Sequence, residues 1–250
     1  NNYDSENYIV EALDLIAKLK NKDTLINAQV GLYNTLGRIY RASNNETAAL
    51  EAFEKSLAIT DKLKDSIIIL NNKANIYKSA EKYELALKAY ELSLEKAQKA
   101  NKPSQLALEL DNIGAVQMKL GSTEALENLE SALKIRTEGK FLNGMYASYH
   151  NLSEYWLAQN DQEKAKHYAQ KALQFAQNIN SSSFKLDALS LFINLEENPT
   201  AKEYKRLTDS IATAKQVASN KNAYLKFNVA QEQKKAEASK LLHEQESKKR

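Results

Sequence analysis
Apolar residues recur along this chain with the period of a helix. Tyr33, Leu36 and Tyr40 fall at i, i+3 and i+7, one helical face, with Gly37 among them. A glycine inside a helix costs roughly 1 kcal/mol relative to alanine, so close approach by another helix is the reason to expect for it. Ser43, Asn44 and Asn45 read as a turn and cap signal. A second periodic run then passes through Ala49, Phe53, Leu57 and Ile59. Small Ala49 and large Phe53 are expected to face back onto the first helix. The stretch 30–60 therefore predicts a helical hairpin, and one hairpin cannot bury both of its apolar faces alone.

Four further stretches copy it. In the second, at 67–97, Leu70, Ala74 and Tyr77 precede the turn, and Ala86 and Tyr90 follow it. The third has Leu110, Ile113 and Gly114, then Ala125, Leu129 and Ala132; its inter-helix turn is expected to be one residue shorter, and Gln117 replaces the tyrosine. The fourth has Tyr149, Leu152, Ser153 and Trp156, then Ala165, Tyr168 and Ala172. The fifth is weaker: Leu186, Leu189, Ser190 and Ile193, then Ala201, Tyr204 and Leu207. The small-residue positions Gly37, Ala74, Gly114, Ser153 and Ser190 are spaced 37, 40, 39 and 37 residues apart.

Residues 4–20 carry one apolar stripe of Ile9, Ala12, Leu13, Ile16 and Leu19 and predict a capping helix ahead of the first hairpin. Residues 217–250 break the pattern. Tyr224, Leu225 and Phe227 can still pack on the last repeat, but after Ala230 only Leu241 and Leu242 are large and apolar. That composition predicts a polar C-terminal helix, either solvated, or a connector or the start of a coiled coil leading to a further element.

Composition agrees with an all-helical chain: among 250 residues there are 6 Gly and 2 Pro, and both prolines, Pro103 and Pro199, fit helix starts. A net charge of +3 is too small to argue for nucleic acid or an anionic membrane. With no cysteine, disulfides, thiolate metal sites and a cysteine nucleophile are excluded. No run of 18 apolar residues occurs. The first residue is Asn, so a preceding segment is expected, and a signal peptide or a membrane anchor beyond either end is compatible with the chain.

Tyr33, Leu36, Gly37 and Tyr40, then Ala49 and Phe53, stand at the spacing W-x2-L-G-x2-Y followed by A-x3-F. On these residues the chain resembles the tetratricopeptide repeat family. The resemblance covers roughly residues 25–215. It implies an all-α, right-handed α-solenoid of about five hairpins with an N-terminal capping helix and a long C-terminal helix. The domain division would be a superhelical array at 1–216 and a polar connector helix at 217–250. The repeats exceed the standard length of about 34 residues and resemble those of bacterial signalling proteins. The layout also resembles the sensor regions of bacterial membrane-anchored regulators with a histidine kinase or DNA-binding output. That implies the periplasmic face of an inner-membrane protein; a cytoplasmic adaptor or peptide-pheromone receptor is the alternative.

In this family, peptides lie on first-helix residues three before and one after the small position. Carried onto this chain these are Asn34 and Arg38, Asn71 and Asn75, Asp111 and Ala115, His150 and Glu154, and Asp187 and Leu191, with Arg41 and Lys78 one turn further on. The implied groove runs from basic (Arg38, Arg41, Lys78) to acidic (Asp111, Glu154, Asp187). Asn34 stands where the carboxylate-clamp subclass has lysine, so binding of chaperone tails is not implied. Asn72, Asn112 and Asn151 recur two before the small position and read as structural hydrogen-bonding residues.

Catalytic signals are missing. The three histidines, His150, His167 and His243, fall in no HExxH pattern, and there is no GxSxG or glycine-rich phosphate loop. The 13 tyrosines mostly occupy or adjoin packing positions, and Trp156 is expected in the core. The expected function is recognition of a protein or peptide, with no catalytic residue, metal or cofactor, and with the oligomeric state open.

Overall fold
In a computed structural model, residues 2–18, 25–179 and 181–194 are described, together with 204, 206–210 and 213. The described residues form helices and turns with no strand. The chain divides into two units, Asn1–Ile179 and Asn180–Arg250.

The first unit opens on α1 (Asn2–Lys18), whose Ile16 is buried. Four hairpins follow: α2 (Ile26–Ala42) with α3 (Glu46–Ile59), α4 (Leu63–Ser79) with α5 (Tyr83–Lys99), α6 (Pro103–Leu120) with α7 (Ala125–Glu138), and α8 (Leu142–Ala158) with α9 (Gln162–Asn178). α3, α5 and α7 also pack on α4, α6 and α8 respectively, and first helices meet directly at α2–α4 and α6–α8. This is the expected all-α solenoid of tetratricopeptide-like hairpins.

The small position works by close approach. A Cβ on Gly37 would lie 2.6 Å from the Phe53 ring, and one on Gly114 would lie 2.7 Å from the Leu129 side chain. Phe53, Tyr90 and Leu129 are fully buried. Burying a side chain of this size contributes about 1.5–3 kcal/mol. Phe53 also packs with Ile69 and Ile76 of α4, and Tyr90 with Ile113 and Val116 of α6, so each core is shared between repeats.

The turns repeat as closely as the cores. Asn44, Glu81 and Asn160 take φ of 57°, 57° and 60°, and Gly121 takes 71° at the same place in the third hairpin. The next amide closes each helix 2.9 Å from the carbonyl of Tyr40, Tyr77, Gln117 or Trp156. This is the Schellman closure, set at the tyrosine position of each of these four hairpins. Asn45 and Asp161 then cap α3 and α9 by accepting from the amides of Ala48 and Lys164.

The third hairpin departs from expectation. Its turn is not shortened; α7 begins at Ala125 itself, whereas α3, α5 and α9 begin three residues before Ala49, Ala86 and Ala165. The Gln117 amide donates to Glu124 at 3.0 Å and accepts from Asn128 at 2.7 Å, holding the chain where a helical turn would otherwise stand. Trp156 is half-buried, with the Lys164 ammonium 3.7 Å from its ring centroid, so it forms a boundary rather than a core.

In the second unit, α10 (Ser182–Asn194) buries Ala188, Leu189, Leu191 and Phe192 and matches the first helix of the expected fifth hairpin. Ala201, the turn before it and the connector at 217–250 lie outside the described residues.

Candidate functional site: the first-helix face
The carried-over positions in the first unit lie on α2, α4, α6 and α8. Arg38 and Arg41 are exposed on α2, and no described carboxylate pairs with either. Asn34 is half-buried, and its amide oxygen accepts from Asn72 at 3.1 Å. Asn72 therefore ties α4 to α2, a structural use for the recurring asparagine.

Asn71 and Asn75 are committed to the protein itself. Asn75 donates to both the carbonyl and the side-chain oxygen of Asn71 and accepts from the Tyr90 hydroxyl at 2.9 Å. Asn71 donates to both carboxyl oxygens of Glu109 at 3.1 and 3.0 Å. Glu109 is fully buried, and Ser93 stands 2.9 Å from its Oε1 and 3.1 Å from the Ile67 carbonyl. Ser93 has one hydrogen for two acceptors. In the first repeat the equivalent Ser56 gives its hydrogen to the Val30 carbonyl. A neutral Glu109 resolves the count: it donates to Ser93, which donates to Ile67. Burial pushes the Glu109 carboxyl up to about 7, against the pull of the Asn71 and Ser93 hydrogen bonds.

Asp111, expected as an acidic groove residue, is 2% exposed. The Arg136 guanidinium, from the last turn of α7, binds its Oδ2 and the Ser148 hydroxyl. Burial pushes the Asp111 carboxyl up, and Arg136 acts against this as the nearest opposing charge. Arg136 reaches between α6 and α8 because Gly144 leaves room: a Cβ there would overlap its Nε. The acidic end of the expected gradient is thus withdrawn from the surface at Asp111. Glu154 is engaged as well, with its carboxylate 3.7 Å from His150 Nδ1, and the His150 ring leans on Tyr146.

Lys78 is different. It is half-buried, its ammonium lies 5.9 Å from the centroid of the Tyr90 ring, and no described carboxylate is within ion-pair distance. Burial pushes its pKa down, while the more distant Asp111 and Glu154 act the other way. Lys78 therefore feels charges from both following repeats, and Tyr90 feels Arg41. Asp187 is exposed on α10 in the second unit, and its carbonyl accepts from the Ser190 hydroxyl.

The sequence reading missed Glu109, Ser93, Arg136, Ser148 and Gly144. A signal existed: Glu109 stands where the second repeat has Ile69, and Arg136 where it has Ala97. Among the described residues, no group of three or more His, Cys, Asp or Glu is placed to hold a metal ion, and no helix is long and apolar enough to cross a membrane.

The tetratricopeptide repeat family matches residues 30–62 and 68–99, and a second tetratricopeptide repeat description matches 147–183. No curated protein sequence matches the chain. The fold is similar to the apo form of RapI, with TM-score 0.70 and 17% identity over 84% of this chain and 77% of RapI. It is similar to BtubC from P. vanneervenii, with TM-score 0.66 and 17% identity over 88% of this chain and 92% of that one. It is also similar to a Rap protein complexed with competence and sporulation factor, with TM-score 0.62 and 15% identity over 84% of this chain and 63% of that one. Hairpins closed at one recurring position, small residues under large ones, and the three family matches identify tetratricopeptide repeats at residues 30–62, 68–99 and 147–183.

Proposed function
We propose that the first-helix face of the first unit binds an extended protein or peptide segment that carries carboxylates. The observation that supports this is Lys78: a half-buried cation with no described ion-pair partner, four after its small residue as Arg41 is on α2, where Arg38 and Arg41 likewise have no described carboxylate partner. A charge removed from water without a partner is costly, and an incoming carboxylate relieves that cost. Asn71, Asn75 and Asp111 are the expected contacts least available to a ligand, because their polar atoms already serve the fold. Selection from a randomised peptide library on the wild-type chain should enrich Asp- and Glu-containing sequences. The same selection on Lys78→Glu with Arg41→Glu should lose them. Identical enrichment from both proteins rejects this face as the site.

The finer reading is the sensory part of a bacterial regulator. In a membrane-anchored sensor, residues 217–250 would pass ligand occupancy to an output domain, and the array would lie on the periplasmic side. Fold likeness to a Rap protein bound to competence and sporulation factor supports the second reading, a cytoplasmic peptide receptor or adaptor. The reading frame on both sides separates them: a signal peptide before Asn1 and an apolar run of about 20 residues after Arg250 belong to the sensor alone. Hydrogen exchange over 217–250 with and without the selected peptide tests transmission, and unchanged protection removes it.

A further inference from the structure
The first unit carries a second crevice, away from the Lys78 face. The crevice between α6 and α8 has a volume of about 580 Å³ and is lined by Ser104, Leu108, Arg136, Lys140, Phe141, Leu142 and Gly144. Its walls depend on two glycines: a Cβ on Gly139 would overlap the Phe141 ring, and one on Gly144 would overlap Arg136. The corresponding crevice between α2 and α4 holds only about 90 Å³, and Asp65 is the sole charged side chain lining it. Leu142 is the most exposed large apolar side chain among the described residues, at 57%.

The polar side of the crevice is cationic. Arg136 is 3% exposed, and Asp111 and Ser148 engage its Nη1 alone; no described residue accepts from its Nε or Nη2. Lys140 is exposed and has no described ion-pair partner. The helices that start here, α6 and α8, like α2, have no side-chain cap and no acidic residue in the first turn, whereas α3, α4, α5, α7 and α9 each carry a first-turn acid. The dipoles of α6 and α8 add to the same sign.

We propose that this crevice binds an apolar group that ends in a carboxylate. The apolar body lies against Leu108, Phe141 and Leu142, and the carboxylate meets Lys140 and the free edge of Arg136. The site is separate from the Lys78 face: Gly144 precedes its small residue, Ser153, by nine positions, while Lys78 follows Ala74 by four. The carboxylate could come from a small acid or from a peptide end, and the test distinguishes them. Octanoate and octanol, and a short peptide ending in Leu as free acid and as amide, are titrated into the 250-residue chain by calorimetry. At least one free acid is expected to saturate a single site, at least tenfold more tightly than its neutral counterpart. Lys140→Glu and Leu142→Ser, both at exposed positions, should each weaken it at least tenfold, and Lys78→Glu should leave it unchanged. Octanoate binding identifies a small acid, and binding of the peptide acid alone identifies a chain end. Absence of saturable binding by either acid, equal binding of the neutral forms, or indifference to Lys140→Glu overturns the proposal.

Discussion

Glu109 and Asp111 stand two residues apart on α6, and the fold meets their two buried carboxyls in opposite ways. Asp111 faces α7 and α8 and receives the Arg136 guanidinium. Glu109 faces α4 and α5 and meets only neutral groups, Asn71 and Ser93. α6 is thereby joined by buried polar bonds to the repeat before it and to the repeat after it. One join tolerates loss of charge, and the other requires charge.

The Glu109 join makes stability depend on pH. Its carboxyl titrates near 7 in the folded chain and at the ordinary value, 4.5, in the unfolded chain. Between these values the folded state keeps a proton that the unfolded state has released, so stability falls as pH rises through the window. Below 4.5 the contribution is fully present; above about 7 it is lost. Glu109→Gln supplies a permanent donor to Ser93 and should be more stable than wild type at pH 8 by up to about 3 kcal/mol. The gap should close at pH 5. Urea denaturation of both proteins at the two pH values measures it.

The Asp111 join should show the cost of a broken buried pair. Asp111→Ala leaves Arg136 without a counter-ion, and Arg136→Met leaves Asp111 without one. Each should destabilise by about 3–5 kcal/mol. The double variant removes both charges and should lose clearly less than the two singles combined. A double-mutant cycle by denaturation reads the coupling, and strict additivity would show that the two side chains act independently.

The hairpins were legible in the sequence because their causes are local. Gly37 with Phe53 and Gly114 with Leu129 lie 16 and 15 residues apart and encode their own packing. The start of α7 was not legible, because Gln117 reads as a lost tyrosine until its amide is seen on Glu124 and Asn128. The candidate face was legible only in outline. Positions three before the small residue face a neighbouring repeat as well as the groove. Asn71 is committed to a partner 38 residues away and Asp111 to one 25 away, and no helical period encodes such pairings. Arg38 and Arg41 are exposed and Lys78 is half-buried, and no described carboxylate pairs with any of them.

Three glycines in first helices should respond differently to one methyl group. Gly37→Ala and Gly114→Ala push into Phe53 and Leu129 and should each destabilise by about 1–3 kcal/mol. Gly31 lies within α2 with no atom near the position of a Cβ. Gly31→Ala should therefore stabilise the chain by about 0.5–1 kcal/mol, through helix propensity alone. Thermal unfolding separates the cases, since a domain of this size shifts by about 2–4 °C per kcal/mol.

Lys78 should trade stability against binding. Its ammonium is half-buried on α4, depressed by desolvation, and answered by no described carboxylate at contact distance. Lys78→Met keeps the stem that packs beside Tyr90 and removes the charge. The variant should be as stable as wild type or more stable, by up to about 1 kcal/mol. Its affinity for acidic peptides selected on the wild-type chain should fall about tenfold, which is 1.4 kcal/mol. A lysine kept only for the fold would show the reverse, with stability lost and binding following it. Measuring both on one preparation, by denaturation and by peptide titration, distinguishes a residue held for a ligand from one held for the helix it sits on.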